Sequence, residues 1–407
     1  MVTNEHTEGS GTVLRAKVPQ EKLNIDEKTR SSLFQWSGQF SPQLIEALIR
    51  KYAKPNAKLL DPFMGSGTVL HEAASMGLQC VGSDVNPAAF HIGRLYSICN
   101  SKPSERQALF VPLKECLDYI FGNESPLIGG DIESRPGHQR AINNLISTAE
   151  TLGRNSCARF LTEGFITLGD KARYEKDPVQ LLSLFEKLER TVMNFPYSKN
   201  PIQALNSDCR KLPIQDNSID LIITSPPYIN VLNYHQQYRK NTEALGWDVL
   251  NAAKSEFGSN RKHRGNRFLT VIQYCLDIAE CFIELYRVSE SSAHIIFIVG
   301  KESNVRGIPF YNGKLVKDIA AVVGLNLDLQ QERTYMNRFG KNICEEILHF
   351  TAPSKPNIAS SEKVKTIAVK ALQEATSIAE GSVLADIENA ICSVNNVEPS
   401  ILYQKRI

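Results

Sequence analysis

The feature that most constrains this chain is a short apolar strand running straight into a glycine turn. Lys58-Leu59-Leu60-Asp61 reads as a strand, and Pro62-Phe63-Met64-Gly65-Ser66-Gly67-Thr68 follows it. Val69, Leu70, Ala73, Ala74 and Met76 then recur at helical spacing up to Gly77. A second strand follows over residues 79–84, and Asn86-Pro87 opens another helix. A strand, a glycine turn, a helix and a second strand in this order begin a doubly wound α/β sheet. Glycine lets the backbone come close to a ligand, and the helix start offers unpaired N–H groups. A phosphate loop requires Lys-Ser/Thr after its second glycine; Thr68-Val69 stands here instead, which argues against ATP.

Two further positions suit a ligand. Asp84 ends the second strand, where an acid in a doubly wound sheet meets ribose hydroxyls. The bland alternative is a helix cap, since Asn86-Pro87 is close by. Downstream, residues 219–224 form an apolar strand that ends in Ser225-Pro226-Pro227-Tyr228. Two prolines stop the strand and stiffen the loop, so Ser225 and Tyr228 project from the carboxyl edge of the sheet.

The rest of the chain divides around this frame. Residues 1–30 are polar and are expected to be a flexible N-terminal arm. Residues 31–100 and 201–354 hold the sheet pattern. Residues 101–200 break the alternation and read as a mostly helical insertion. Residues 355–407 read as a helical C-terminal appendage. Before the first strand, Ser41-Pro42 is a helix start, with the serine hydroxyl expected to cap free N–H groups. Later elements are expected as a helix over 268–288, a strand over 294–299, a helix over 315–323, and strands over 325–329 and 346–350.

Composition narrows the class. With 42% hydrophobic residues in 407, the chain can build a sizeable core, and a net charge of +2 makes any DNA-binding face local. Its nine cysteines include no C-x-x-C pair, which suits free thiols in a reducing cytoplasm better than a disulfide framework or a zinc knuckle. No segment has the length and apolarity of a bilayer span. The eight histidines show no metal spacing, so no metal is expected. One basic run stands out: Arg261, Lys262, Arg264 and Arg267 in a glycine-bearing stretch soon after the proline corner, suited to phosphate contact or to a solvated face.

Taken together, Asp-Pro-Phe-Met-Gly-Ser-Gly-Thr at 61–68, the acid Asp84, and Thr-Ser-Pro-Pro-Tyr at 224–228 resemble the amino-group DNA methyltransferase family. The similarity covers residues 34–94 and 204–350. It implies a Rossmann-like sheet with helices on both faces and S-adenosylmethionine as cofactor. By the same resemblance, Phe40, Ser41, Asp61, Pro62, Phe63, Gly65, Gly67 and Thr68 hold the methionine part. Asp84 holds the ribose, and Asp208, after Asn206-Ser207, lies near the adenine or merely caps a turn. Ser225, Pro226, Pro227 and Tyr228 bind the extruded target base. The Thr-Ser-Pro-Pro-Tyr form is most like N4-cytosine enzymes. Adenine-N6 enzymes, guanine-N2 RNA methyltransferases and non-catalytic nucleic-acid-binding relatives are the alternatives; the first two more often carry Asp or Asn in place of Ser225. The implied partners are double-stranded DNA and a companion restriction endonuclease, with residues 101–200 a candidate target-recognition region.

Overall fold

The computed structural model describes residues 16–122, 138–170, 179–229, 233–258, 263, 265–337, 340–352 and 360–404. Its main sheet has seven strands: β1 (Lys58–Asp61), β2 (Gln79–Ser83), β3 (Ile202–Leu205), β4 (Ile219–Thr224), β5 (Ser289–Gly300), β8 (Asn326–Met336) and β9 (Asn342–Thr351). Between β5 and β8, β6 (Ser303–Val305) and β7 (Ile308–Phe310) form a separate hairpin.

The spatial order is β3-β2-β1-β4-β5-β9-β8. The first five strands are parallel, and β9 runs antiparallel to both β5 and β8. From β1 the chain winds outward through β2 to β3, then returns to β1's other side with β4. The topological switch point therefore lies between β1 and β4, where ligands enter such sheets. This is a mixed α/β, doubly wound sheet with helices on both faces, as the sequence pattern leads one to expect.

Alternation along the central strands divides the core. Leu59, Leu221, Ile223, Ile296 and Ile298 face one layer, which contains the helices Pro42–Tyr52, Thr68–Ser75 and Pro87–Leu95. Leu60, Ile222, Ile295, Phe297 and Val299 face the other, built on the helices Leu269–Val288 and Asn312–Val322. Successive strand residues point to opposite faces, so both sides of this sheet must be covered.

The inserted region is helical where described, with helices Pro103–Leu109, Val111–Phe121, His138–Thr151, Cys157–Gly169 and Val179–Met193. Its residues Phe110, Leu145, Leu161 and Phe165 share the first core layer, so it is packed onto the sheet domain. Arg106, wholly buried, donates to the carbonyls of Phe195 (2.5 Å) and Pro196 (3.0 Å), closing the insertion where the chain returns toward β3.

Four expectations change. Residues 16–30 are not a loose arm: Val18 exchanges hydrogen bonds with the Gln331 side chain on β8 (3.2 and 2.8 Å), and Leu23 is fully buried. A polar composition concealed two apolar anchors for an otherwise uncovered sheet edge. Residues beyond 355 do not merely append: Val364, Ala368 and Leu372 of the helix Ser361–Thr376 and Ile387 and Ala390 of the helix Gly381–Cys392 complete the second core layer. Ser41 does not cap its helix through its hydroxyl; its carbonyl accepts from Leu44 and Ile45 N–H instead. Strands β8 and β9 are also longer than the sequence pattern indicates, because half of their residues are polar and pair with each other.

Candidate functional site

Asp61 ends β1 and Thr224 ends β4, on either side of the switch point. The Thr224 hydroxyl donates to Asp61 Oδ1 at 2.7 Å, tying the two loops together at their roots. Asp61 is fully buried, and burial pushes its carboxyl up to about 7 against the hydrogen bonds from Thr224 and the Phe63 N–H. Its Oδ2 has no partner among the described residues, nor does the buried Ser41 Oγ. An unpartnered buried acceptor is costly, so the Ser41 Oγ, on a residue that borders the cavity described below, is suited to receiving a ligand's donor.

The glycine turn is fixed from several directions. Met64 N–H bonds the Ser83 carbonyl (3.0 Å), Gly67 N–H the Met64 carbonyl (2.7 Å), and Gly65 N–H the Asp84 carboxylate (3.0 Å). Gly65 and Gly67 take φ of +48° and +78°. A Cβ on Gly65 would lie 2.9 Å from the Trp36 indole, and one on Gly67 would lie 2.6 Å from the Tyr96 ring. The glycines are thus required by both backbone sign and space. Asp84 also accepts from Asn86 N–H at 2.9 Å, and burial pushes its carboxyl up to about 7. The helix after it is capped by the Asn86 side chain, which accepts from Ala88 N–H; Asp84 is therefore not that cap.

At the other loop, Ser225 Oγ and Tyr228 OH are 3.1 Å apart. Tyr228 is held by two glycines distant in sequence. A Cβ on Gly300 would stand 3.2 Å from the Tyr228 ring, and one on Gly258 would stand 2.6 Å from the Tyr228 carbonyl oxygen. Burial pushes the Tyr228 phenol well above its ordinary range.

Both loops open onto one cavity of about 1460 Å³. Phe40, Ser41, Pro62, Phe63, Gly65, Thr68, Asp84, Asp208, Ser225, Pro227 and Tyr228 line it, whereas Asp61, Gly67 and Pro226 stand behind the lining. Asp208 reaches the cavity with its carboxylate already engaged. Arg210 Nε and Nη2 hold its two oxygens at 2.9 and 2.7 Å, and the Tyr403 N–H adds a third bond at 2.9 Å. Arg210 continues to Asp277 (2.9 Å) and the Ser400 carbonyl (2.7 Å), so this cluster fastens residues 400–403 to the end of β3. Of the basic run, Arg261, Lys262 and Arg264 lie outside the described residues; Arg267 is half-buried just before the helix Leu269–Val288 and is not in the cavity wall.

Trp36, Glu256 and Phe257, which the sequence pattern did not single out, also line the cavity, as does Tyr234. Trp36 stacks on Tyr238 (6.2 Å between centroids) above the glycine turn. Trp36 alone had a visible signal, as one of two tryptophans in the chain and close to the first strand. The others lie in a polar stretch with no periodicity to mark them. Among the described residues, no cluster of His, Cys, Asp and Glu could hold a metal ion, and no helix is long and apolar enough to cross a membrane.

Residues 5–94 match the family N6_N4_Mtase, DNA methylase. That span includes Trp36, the glycine turn and Asp84. Two type II methyltransferases are similar in sequence. M.MjaII of Methanocaldococcus jannaschii is 34% identical over 67 residues, which is 16% of this chain and 13% of that protein. M.AvaI of Nostoc sp. is 23% identical over 256 residues, 52% of this chain and 53% of that protein. The chain thus spans about half the length of M.AvaI and a small part of M.MjaII. A solved S-adenosylmethionine-dependent methyltransferase from Methanosarcina mazei, 11% identical, aligns over 76% of this chain and 98% of its own with a TM-score of 0.34.

Proposed function

We propose that this protein is an S-adenosylmethionine-dependent DNA methyltransferase that modifies the exocyclic N4 of cytosine at a specific site in duplex DNA. In this reading it belongs to a restriction–modification system, with an endonuclease reading the same sequence. The observation that carries the proposal is the shared cavity: the glycine turn with Asp84 and the Ser-Pro-Pro-Tyr corner border one space at the sheet's switch point. The family match over residues 5–94 and the similarity to two type II methyltransferases support DNA as the substrate.

The residues present fit a cationic, ribose-bearing cofactor. Asp84 offers a carboxylate to the ribose diol while holding the Gly65 N–H. Phe40, Ser41, Pro62, Phe63 and Thr68 border the space for the methionine part, with Ser41 Oγ still able to accept and Asp61 bracing the turn from behind through Phe63 N–H and Thr224. Gly67 acts by letting the turn pass beneath Tyr96. Asp208 shapes the adenine side through its contacts with Arg210. When bound, S-adenosylmethionine supplies an electrophilic methyl group on a sulfonium.

The chain's own residues then act on the base. Its amino group has to leave the duplex stack to reach the cleft. Ser225 Oγ and the Pro226 carbonyl accept its two N–H bonds, while the Ser225 hydroxyl proton turns toward Tyr228 OH, 3.1 Å away. That donation leaves the Oγ lone pairs for the amino group and draws the nitrogen lone pair out of ring conjugation. Positive charge grows on nitrogen in the transition state, so these acceptors bind more strongly as the reaction proceeds. Pro227 keeps the corner rigid, and the Tyr228 ring offers an aromatic surface to the base. Arg261, Lys262, Arg264 and Arg267 serve phosphate contacts in this scheme.

The test is transfer of tritiated methyl to DNA by purified protein, with sequencing of host DNA for N4-methylcytosine after expression. Ser225→Ala should lower methyl transfer by about 10²-fold or more with cofactor affinity unchanged. Undiminished turnover would remove the role given to Ser225. N6-methyladenine in place of N4-methylcytosine would overturn the choice of base.

A further inference from the structure

The stretch Ser255-Glu256-Phe257-Gly258 bridges the two loops of the cleft. The Phe257 ring meets the Phe63 ring edge-on at 5.4 Å, and Gly258, at φ +69°, packs its backbone against the Tyr228 carbonyl. Between these two anchors, Glu256 lines the cavity while only 4% exposed. Its Oε2 accepts from His235 Nδ1 at 2.9 Å, and His235 is itself 1% exposed. Beside His235, the Tyr234 carbonyl accepts from Asn86 Nδ2 at 2.9 Å, and the Asn86 N–H bonds Asp84. This chain of contacts sets the Glu256 carboxylate at the same end of the cavity as Asp84, close enough that its charge helps raise the Asp84 carboxyl.

A cationic cofactor loses its charge in the reaction. As the S–CH3 bond breaks, its electron pair stays on sulfur and the sulfonium becomes a neutral thioether. The amine nitrogen forms the new bond to carbon and then gives up a proton to solvent. A carboxylate held away from water feels that loss far more than an exposed one does. We infer that Glu256, oriented by His235, is the residue by which this cleft distinguishes the charged methyl donor from the neutral product, gripping one and releasing the other. The inference rests on the cofactor reading above. Glu256 is the specificity-determining group; His235 is a positioning residue.

The experiment is calorimetric binding of three ligands to the full chain: S-adenosylmethionine, S-adenosylhomocysteine, and sinefungin, which carries an ammonium in place of the sulfonium. Wild type should prefer both charged ligands over the thioether. Glu256→Gln should reduce that preference by about ten-fold or more, with affinity for the thioether nearly unchanged. His235→Ala should shift the ratio in the same direction, and His235→Asn, which returns an N–H near the Nδ1 position, should restore it. Equal weakening of all three ligands by Glu256→Gln would mark a merely structural role and overturn the inference. So would an unchanged ratio, or a wild type without preference for charge, which needs no variant to fold. Wild type that binds none of the three would overturn the cofactor reading and this inference with it. A clear wild-type preference that Glu256→Gln leaves intact overturns the inference alone.

Discussion

The turn at residues 62–68 and the corner at residues 225–228 leave the sheet from neighbouring strands, yet they are stiffened by different means. The turn is held mostly by its own backbone and by the next strand: Met64 to Ser83, Gly67 to Met64, Gly65 to Asp84. The corner has little local bonding beyond Ser225 to Tyr228 and is braced from outside by Gly258 and Gly300. The glycine turn is therefore built within a few dozen residues, whereas the corner depends on packing contributed by distant segments. Damage at Gly258 or Gly300 should fall more on the corner than on the turn.

The sharpest break in that asymmetry is Gly258→Ala. It combines a positive φ with a Cβ 2.6 Å from the Tyr228 carbonyl oxygen. The strain should cost about 1–3 kcal/mol of stability, read as a lowered midpoint in urea. Displacement of the corner should lower kcat by about 10²-fold. Cofactor affinity should fall far less than kcat, since the turn keeps its own bonds to Ser83 and Asp84; an equal loss of both would show that the bridge through Phe257 holds the two loops as one unit.

The cofactor side has its own signature in pH. The Asp84 carboxyl is raised from 3.8 to about 7, so below that pH the empty site holds it protonated. Ribose donors and a cationic ligand favour the ionised form, so binding there must release the proton. Affinity for S-adenosylmethionine should thus rise with pH by up to about ten-fold per unit, flattening above about 7. Titration calorimetry on either side of neutrality reads the slope. A flat profile would remove Asp84 from the ligand shell.

The smallest effect is expected at Gly300→Ala. Its Cβ would sit 3.2 Å from Tyr228 Cε2, a contact the ring can relieve by a small shift. A rise of about two- to five-fold in KM for DNA, with cofactor affinity unchanged, would fit bracing from that side. A change in cofactor affinity alone would contradict it.

The same asymmetry explains what the amino-acid pattern made legible. Residues 58–68, Asp84 and residues 219–228 were readable because each feature is a local alternation, a glycine turn or a proline stop. The helix Leu269–Val288 and the strand through residues 294–299 followed from periodicity alone. Gly258, Gly300 and Glu256 carry no local mark; their importance arises from segments separated by tens of residues meeting at Tyr228 and Asp84. Val18 and Leu23 were hidden for a related reason: two apolar residues in a polar stretch become meaningful only when the bare edge of β8 is known to need a cover. Ser41 shows the limit of a local rule, since the cap position was right while its hydroxyl stayed unbonded.

The clasp formed by Arg210 has a consequence for how the molecule assembles. It joins Arg210 to Ser400 across 190 positions and Asp208 to Tyr403 across 195. Contacts that enclose so long a stretch of polypeptide incur loop-closure entropy before they return any energy, so they form late. The rim beside β3 therefore consolidates later than the local glycine turn, since residues 400–403 must be in place before Asp208 and Arg210 are held.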